Sequence, residues 1–409
     1  MKKIFLGLMV CLLLISGVCA KSKKSVKADL EKTKFTIGHL NSTAHLLAFV
    51  AQEEGFFKEE GLSATLLQFA SASELAAGLE SGKLDVAFIG SVPSITFQSN
   101  GRDLTIFGGA MTNGHGYVIK KQFTGGKDNL GVEILKGRNV ASVKNSVQDA
   151  ELLLLLRNVG IKVGKGADEV NIVYFDSQKD AYAALQNSSI YAASAYSPYT
   201  SLAKGQGYNV VYYCSDIPEL ENQPCCRQVA YTPALNASPK SYKAFERALI
   251  KAYKFSQENR AKTIKDVKKY IDIDPDYINT EVYGGFSSSI PDPDKQGTIN
   301  LKNTIVELGY TKDYDIERGF NTSLFKIILP AALPEIFLGC NQGLGVSFIL
   351  LTSAEMIGAS RGIGFYVKQY SDFGDYTRTI VGLIVIGIVV VVITMLFNKL
   401  QGYLLRWKN

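Results

Sequence analysis

Two sets of residues in this chain are equipped for chemistry. Pro224-Cys-Cys-Arg227 sets two adjacent thiols beside a guanidinium. Arg227 can hold an oxyanion through two parallel hydrogen bonds, which lysine does poorly, or it can pair with a carboxylate. Cys225 and Cys226 can stay free or close on each other, and either can bridge to Cys214 in an oxidising compartment. A tetrahedral metal site lacks its ligands, so neither metal nor cofactor is expected. The second set is a series of short turns rich in Ser, Thr, Asn and Gly, at 38–44, 70–73, 90–94, 109–114 and 142–149. They contribute Asn41, Ser42, Ser71, Gly90, Ser91, Asn113 and Ser146 as candidate ligand contacts. Where such a turn opens a helix, unpaired N–H groups and the helix dipole favour an anionic group. The same residues are also ordinary N-caps, so capping and ligand contact both remain open for each.

Those turns need elements to hold them. Apolar runs of strand length are expected at 35–39, 63–69, 84–89 and 104–110, and again at 139–143, 170–175 and 190–195. Between them the helical patterns fall at 44–53, 146–159 and 178–186. Ser71-Ala-Ser-Glu74 matches a capping box, with Ser71 as N-cap and Glu74 reaching back. Strands alternating with helices imply right-handed crossovers and mostly parallel sheets. Two such sets imply two lobes around a cleft, with ligand at the carboxyl ends of the strands.

At 409 residues the chain has room for two or three domains. Its formal net charge of +6 is spread over both signs without a basic block and interleaved aromatics, so nucleic acid is not an expected partner. Lys2 and Lys3 precede an uncharged apolar run, 4–20, which reads as an export signal. Val18-Cys19-Ala20 suits cleavage after Ala20, while Ser16-Gly17-Val18-Cys19 leaves open a lipidated Cys19. A Lys/Ser-rich tether at 21–34 follows.

Glu54-Gly-Phe-Phe-Lys-Glu-Glu-Gly-Leu62, Asp85-Val-Ala-Phe-Ile-Gly-Ser-Val-Pro93, Glu307-Leu-Gly-Tyr310 and Tyr314-Asp-Ile316 carry a resemblance. Over roughly 35–324 the chain resembles the periplasmic substrate-binding proteins of sulfonate/nitrate/taurine importers. The resemblance implies a type II-like bilobal α/β binding-protein fold, with lobe 1 at about 35–115 and 228–324 and lobe 2 at about 116–227. It implies a non-enzymatic receptor for a small oxyanion such as an aliphatic sulfonate, delivering to the permease and ATPase subunits of an ABC importer. By position it places His39, Asn41, Ser42, His45 and Ser91 in the first lobe's site, and Ser146, Val147 and Gln148 in the second. Ala195-Tyr-Ser-Pro-Tyr199, which offers Tyr196 as a contact, departs from the family by placing Ser197 where an acid is common. A lost carboxylate in the cleft would favour an anion over an amine-bearing ligand such as taurine. A related branch, the pyrimidine-precursor synthases, uses a histidine and a cysteine-rich iron site. His39, His45, His115 and Cys225-Cys226 are a sparse version of that pattern, and the enzyme is kept as an alternative.

After residue 324 the chain resembles instead the C-terminal part of the permease subunit of the same importers, through Ile327-Ile-Leu-Pro-Ala-Ala-Leu-Pro334 and Ala354-Glu-Met-Ile-Gly-Ala-Ser360. The first half of the family's coupling loop and its upstream helices have no counterpart here. Residues 336–354 form a weak membrane-span candidate and 380–397 a strong one. With only the second inserted, Lys399, Arg406 and Lys408 fall inside the cell, in keeping with the positive-inside rule. The expectation is a receptor tethered to the periplasmic face by one C-terminal helix. A fused receptor–permease subunit that helps form the pore is the alternative.

Overall fold

The computed structural model describes residues 29–127, 130–321 and 325–404. The expected export signal, Cys19 and most of the expected tether lie outside the described residues. Among the described residues, eleven strands build two sheets. β1 (Lys34–His39), β2 (Ser63–Gln68), β3 (Val86–Gly90) and β4 (Leu104–Asn113) belong to the first. The chain then enters the second through β5 (His115–Lys120), β6 (Asn139–Val143), β7 (Asn171–Phe175), β8 (Ala192–Tyr196) and β9 (Tyr208–Tyr213). It returns to the first through β10 (Pro224–Tyr231) and β11 (Ser287–Ser289). The six-stranded sheet runs β11-β4-β10-β3-β1-β2 and the five-stranded one β7-β6-β8-β5-β9.

Both sheets are mixed, where the sequence suggested mostly parallel ones. β1 pairs in parallel with β2 and β3, and β6 with β7 and β8, as strands joined by helices must. β10 runs antiparallel between β3 and β4, and β5 antiparallel between β8 and β9. These are the strands at which the chain changes sheet, so no helical crossover constrains their direction.

The first crossing is a break of a single residue, Gly114, between β4 and β5. Asn113 (φ 55°) and Gly114 (φ 87°) both sit in the left-handed region there, which asparagine and glycine adopt most readily. β4 is buried along its whole length. Gly109 in its middle donates its N–H to Pro291 O at 2.7 Å. A Cβ at this position would meet Asp292 O at 1.8 Å, so only glycine lets the two backbones approach. The first sheet is backed by a stack of Phe35, Phe57 and Phe245, with Phe35–Phe245 at 6.0 Å and Phe57–Phe245 at 5.4 Å between ring centroids.

Beyond these sheets stand three helices, Phe325–Gly358, Ile363–Asp372 and Tyr376–Leu404. Tyr376–Gln401 is long and apolar enough to cross a membrane. Gly339–Gly358 and Ile363–Asp372 meet that standard only as a pair bent by 48°.

Candidate functional site

A cleft of about 210 Å³ is lined from both sheets. Its walls are built by a repeated local device: a strand ends, and a serine or glycine opens the next helix. Ser71 caps Ala72–Glu80, Gly90 precedes Ser91–Ser99, Ser146 caps Val147–Asn158 and Ser177 caps Gln178–Gln186. All four of these N-terminal residues line the cleft. The first two helices follow strands of one sheet and the last two follow strands of the other. The Oγ atoms of Ser71, Ser146 and Ser177 each accept a backbone N–H three residues on, at 3.2 Å. Glu74 does reach back, taking the N–H of Ala70 at 3.1 Å. Ser177 also donates its proton to Asp180 at 2.6 Å, which leaves Ser71 and Ser146 with a proton to offer the cleft.

His45 lines the cleft in the turn after β1. Its Nδ1 accepts the N–H of Leu40 at 3.2 Å, which puts the proton of the neutral ring on Nε2. Nε2 is buried without a hydrogen-bond partner among the described residues. It faces Cys226, which it helps to hold as thiolate, so a ligand at the cleft wall would share this donor with Cys226. Ser42, Val147, Gln148 and Tyr196 complete the expected residues that the structure brings to the cleft. Lys144, beside the ring of Tyr174, is a cation at the rim, and Asp176 is an acid there.

Five expected residues lie elsewhere. His39 is packed behind the wall against Phe49, its Nδ1 2.9 Å from Leu40 O; burial pushes its imidazole down to about 4. Asn41 engages Tyr199. Ser91 is fully buried in the first turn of its helix. Asn113 uses its side chain to accept the N–H of Gln223 at 2.9 Å, tying one crossing between the sheets to the other. Arg227 is fully buried, donating to Met111 O at 3.1 Å and Cys226 O at 2.9 Å, with Asp294 at 3.8 Å. The Asp294 contact is one of charge without a hydrogen bond, since Nε and Nη2 of Arg227 are buried with no hydrogen-bond partner among the described residues. Ser197 is likewise buried, accepting from Thr43 at 2.7 Å and donating to Glu281 at 2.8 Å. An acid is thus present behind Ser197, and the charge of the cleft does not turn on that position.

The cleft floor holds a group that sequence spacing could not reveal, because its members come from β5, the helix Val147–Asn158, the segment after β9, and β10. His115 Nδ1 lies 3.1 Å from Glu151 Oε1 and 3.9 Å from Cys214 Sγ, while its Nε2 lies 2.8 Å from Cys225 Sγ. Burial alone would push the imidazole down. The Glu151 carboxylate reverses this and, with Cys214, holds it well above the usual histidine range. Ligand atoms of His115, Glu151 and Cys214 lie within 4.8 Å of one another, close enough for one metal ion to bridge; His115 pairs with Glu151 through Oε1, while Oε2 is buried with no hydrogen-bond partner among the described residues. Cys225 and Cys226 both border the cleft as free thiols, their sulfurs 3.4 Å apart. The hydrogen bond from Cys225 outweighs burial and, with His45, holds Cys226 well below the usual thiol range.

Residues 28–271 match the model of the NMT1-like family. The chain belongs to the NMT1-like family. This NMT1-like chain also matches, over residues 319–409, the model for the inner membrane component of binding-protein-dependent transport systems. Its fold is that of solved periplasmic binding proteins. One is the aliphatic sulphonate binding protein SsuA of Escherichia coli (19% identity, 70% of this chain and 97% of that one, TM-score 0.58). Another is the nitrate-binding protein NrtA of Synechocystis PCC 6803 (16% identity, 74% and 89%, TM-score 0.65). Curated relatives match the tail instead. The aliphatic sulfonates transport permease SsuC of Bacillus subtilis (strain 168) is 32% identical over 23% of this chain and 34% of its own length. The taurine transport permease TauC of Escherichia coli (strain K12) is 39% identical over 20% and 30%. The chain thus spans about a third of the permeases it matches. Binding-protein and permease-like parts are fused in one NMT1-like chain.

Proposed function

We propose that this protein is the solute-binding component of an ABC importer, capturing a small oxyanion-bearing solute such as an aliphatic sulfonate. Convergence of four helix N-termini on one cleft, two from each sheet, carries this reading. Each presents unpaired N–H groups and the positive end of a helix dipole. Closure of two lobes would bring all four onto one anionic group, with Ser71, Ser146 and the His45 Nε2–H as side-chain donors. The sulphonate- and nitrate-binding proteins that share the fold point to the same ligand class. Lys144 and Asp176 offset each other at the rim and Glu151 offsets His115 in the floor, so the helix N–H groups and hydroxyls, rather than net charge, supply the attraction for an anion.

A melting series on the full-length chain tests the reading, with alkanesulfonates, taurine, nitrate and hydroxymethylpyrimidine as the panel. A ligand at about 100 times its Kd stabilises the fold by roughly 2.7 kcal/mol. A shift with sulfonates or nitrate supports the anion site. A shift confined to the pyrimidine would replace it, and no shift with any of the four would remove the ligand class.

The permease-like segment supports a membrane-tethered receptor, with the translocation pore and ATPase supplied by partner subunits. Tyr376–Gln401 favours this over a pore-forming subunit, being the one described helix that suffices alone as a span.

A further inference from the structure

We propose that Cys225 and Cys226 are a redox-active dithiol in the floor of the cleft, which exchanges with small disulfides and closes to a disulfide between adjacent residues. The proposal stands apart from the identity of the solute. Neighbouring residues on a regular strand point to opposite faces of the sheet. Here β10 shifts register against β4 between Pro224 and Cys226 and again between Cys226 and Arg227. The irregularity brings both sulfurs to the same side, 3.4 Å apart and both bordering the cleft. Bulges re-aim side chains in this manner. Arg227, next along, returns to the interior. The third buried thiol is not the partner: Cys214 faces His115 Nδ1 while Cys225 faces Nε2, so the imidazole ring stands between them.

The surroundings fit exchange chemistry. Cys226 is the more exposed of the pair, at 9% against 3% for Cys225, and it faces His45. As thiolate, its sulfur attacks one sulfur of a small disulfide RSSR. An S–S bond forms to Cys226, the S–S bond of RSSR breaks to release RS⁻, and that anion takes the proton of Cys225. The Cys225 sulfur, held beside His115, then attacks Cys226 Sγ and expels the second RS⁻. The balance is one RSSR reduced to RSH and RS⁻, and two protein sulfurs oxidised to one disulfide. Adjacent Cα atoms are about 3.8 Å apart across a trans peptide, below the usual disulfide span of about 4.4–6.8 Å. A bridge formed there would be strained and readily reduced, which marks a labile disulfide rather than a structural staple.

The test uses the full-length chain in detergent, reduced, freed of reductant and then treated with 2-hydroxyethyl disulfide. Acid quench, alkylation and peptide mass spectrometry read the state of each cysteine. The expected result is a peptide spanning Pro224–Tyr231 that has lost two hydrogens and resists alkylation at both positions, with reversal by a mild monothiol. Cys225→Ser is expected to stall as a hydroxyethyl mixed disulfide on Cys226. Full alkylation of both cysteines after treatment would overturn the proposal, as would a bridge from either one to Cys214. Stoichiometric zinc or iron on the protein as purified, protecting the same two cysteines until chelated, would also overturn it by making them metal ligands. The wild-type measurement decides even where the variant fails to fold.

Discussion

A serine that caps a helix uses an oxygen lone pair on a backbone N–H and keeps its own proton, so Ser146 can cap and bind at once. Substitution separates the two duties, because glycine is tolerated at an N-cap within a few tenths of a kcal/mol while alanine costs about 1 kcal/mol. Ser146→Gly is therefore expected to melt close to the parent yet bind its anion about tenfold more weakly, from a lost charged hydrogen bond of roughly 1.5 kcal/mol. Calorimetric titration beside a melting curve checks this, and unchanged affinity would reduce Ser146 to a cap. His39 makes a prediction in pH. Burial lowers its folded value to about 4 against 6.5 unfolded, with the nearby His45 ring acting the same way and the Leu40 carbonyl opposing. Between those values the unfolded chain binds a proton that the folded chain refuses. Its stabilising contribution is thus complete above about pH 6.5 and falls as pH drops toward 4, by on the order of 3 kcal/mol. Urea unfolding at pH 7 and pH 4 should show the loss, and His39→Gln should flatten this part of the profile.

At the scale of elements, the strands where the chain changes sheet set the geometry of the cleft. Gly109 is the sharpest probe of β4, since a methyl group there meets the Asp292 carbonyl rather than a side chain that can swing away. Gly109→Ala should cost about 3 kcal/mol, at the upper end for overpacking. Gly101→Ala, with nothing within 4 Å of the new Cβ but a φ of 82°, should cost about 1 kcal/mol, from backbone strain alone. Equal losses in urea unfolding would remove the close-approach argument. The same strands mark where sequence reading ends. The parallel halves were legible because apolar runs alternate with helical patterns, and 178–186 fell on the observed helix end to end. β10 was not, because a proline, two cysteines and a buried arginine look nothing like a central strand, and its pairing with β3 and β4 is set more than a hundred residues away. Capping serines were legible from their spacing. Ser177 was passed over although it caps in the same way, and His115 was named beside Cys225-Cys226 without its place in the cleft floor, which a sheet crossing sets.

For the whole molecule, membrane topology follows from how a binding-protein domain and a permease-like tail share one chain. The tail's charges do not choose an orientation by themselves: Arg361 and Lys368 precede the span, Arg378 and Lys399 lie in its first and last turns, and Arg406 and Lys408 follow it. Position chooses instead. A binding domain outside the membrane fixes the start of the tail on that side, and each further span reverses the C-terminus. If Tyr376–Gln401 crosses alone, the C-terminus is cytoplasmic, and Gly339–Asp372 lies on or dips into the outer leaflet as a bent pair. If the bent pair also crosses, the C-terminus returns to the outside and the stretch around Gly358 and Ile363 is held within the bilayer. The helix break at 359–362 and the charged residues Arg361 and Lys368 make a complete crossing by the pair costly. A C-terminal fusion that fluoresces only in the cytoplasm is expected to light up, and one active only after export to stay silent. A reversed pair of signals would mean two crossings, and the tail would then contribute two membrane-crossing elements to the importer rather than an anchor.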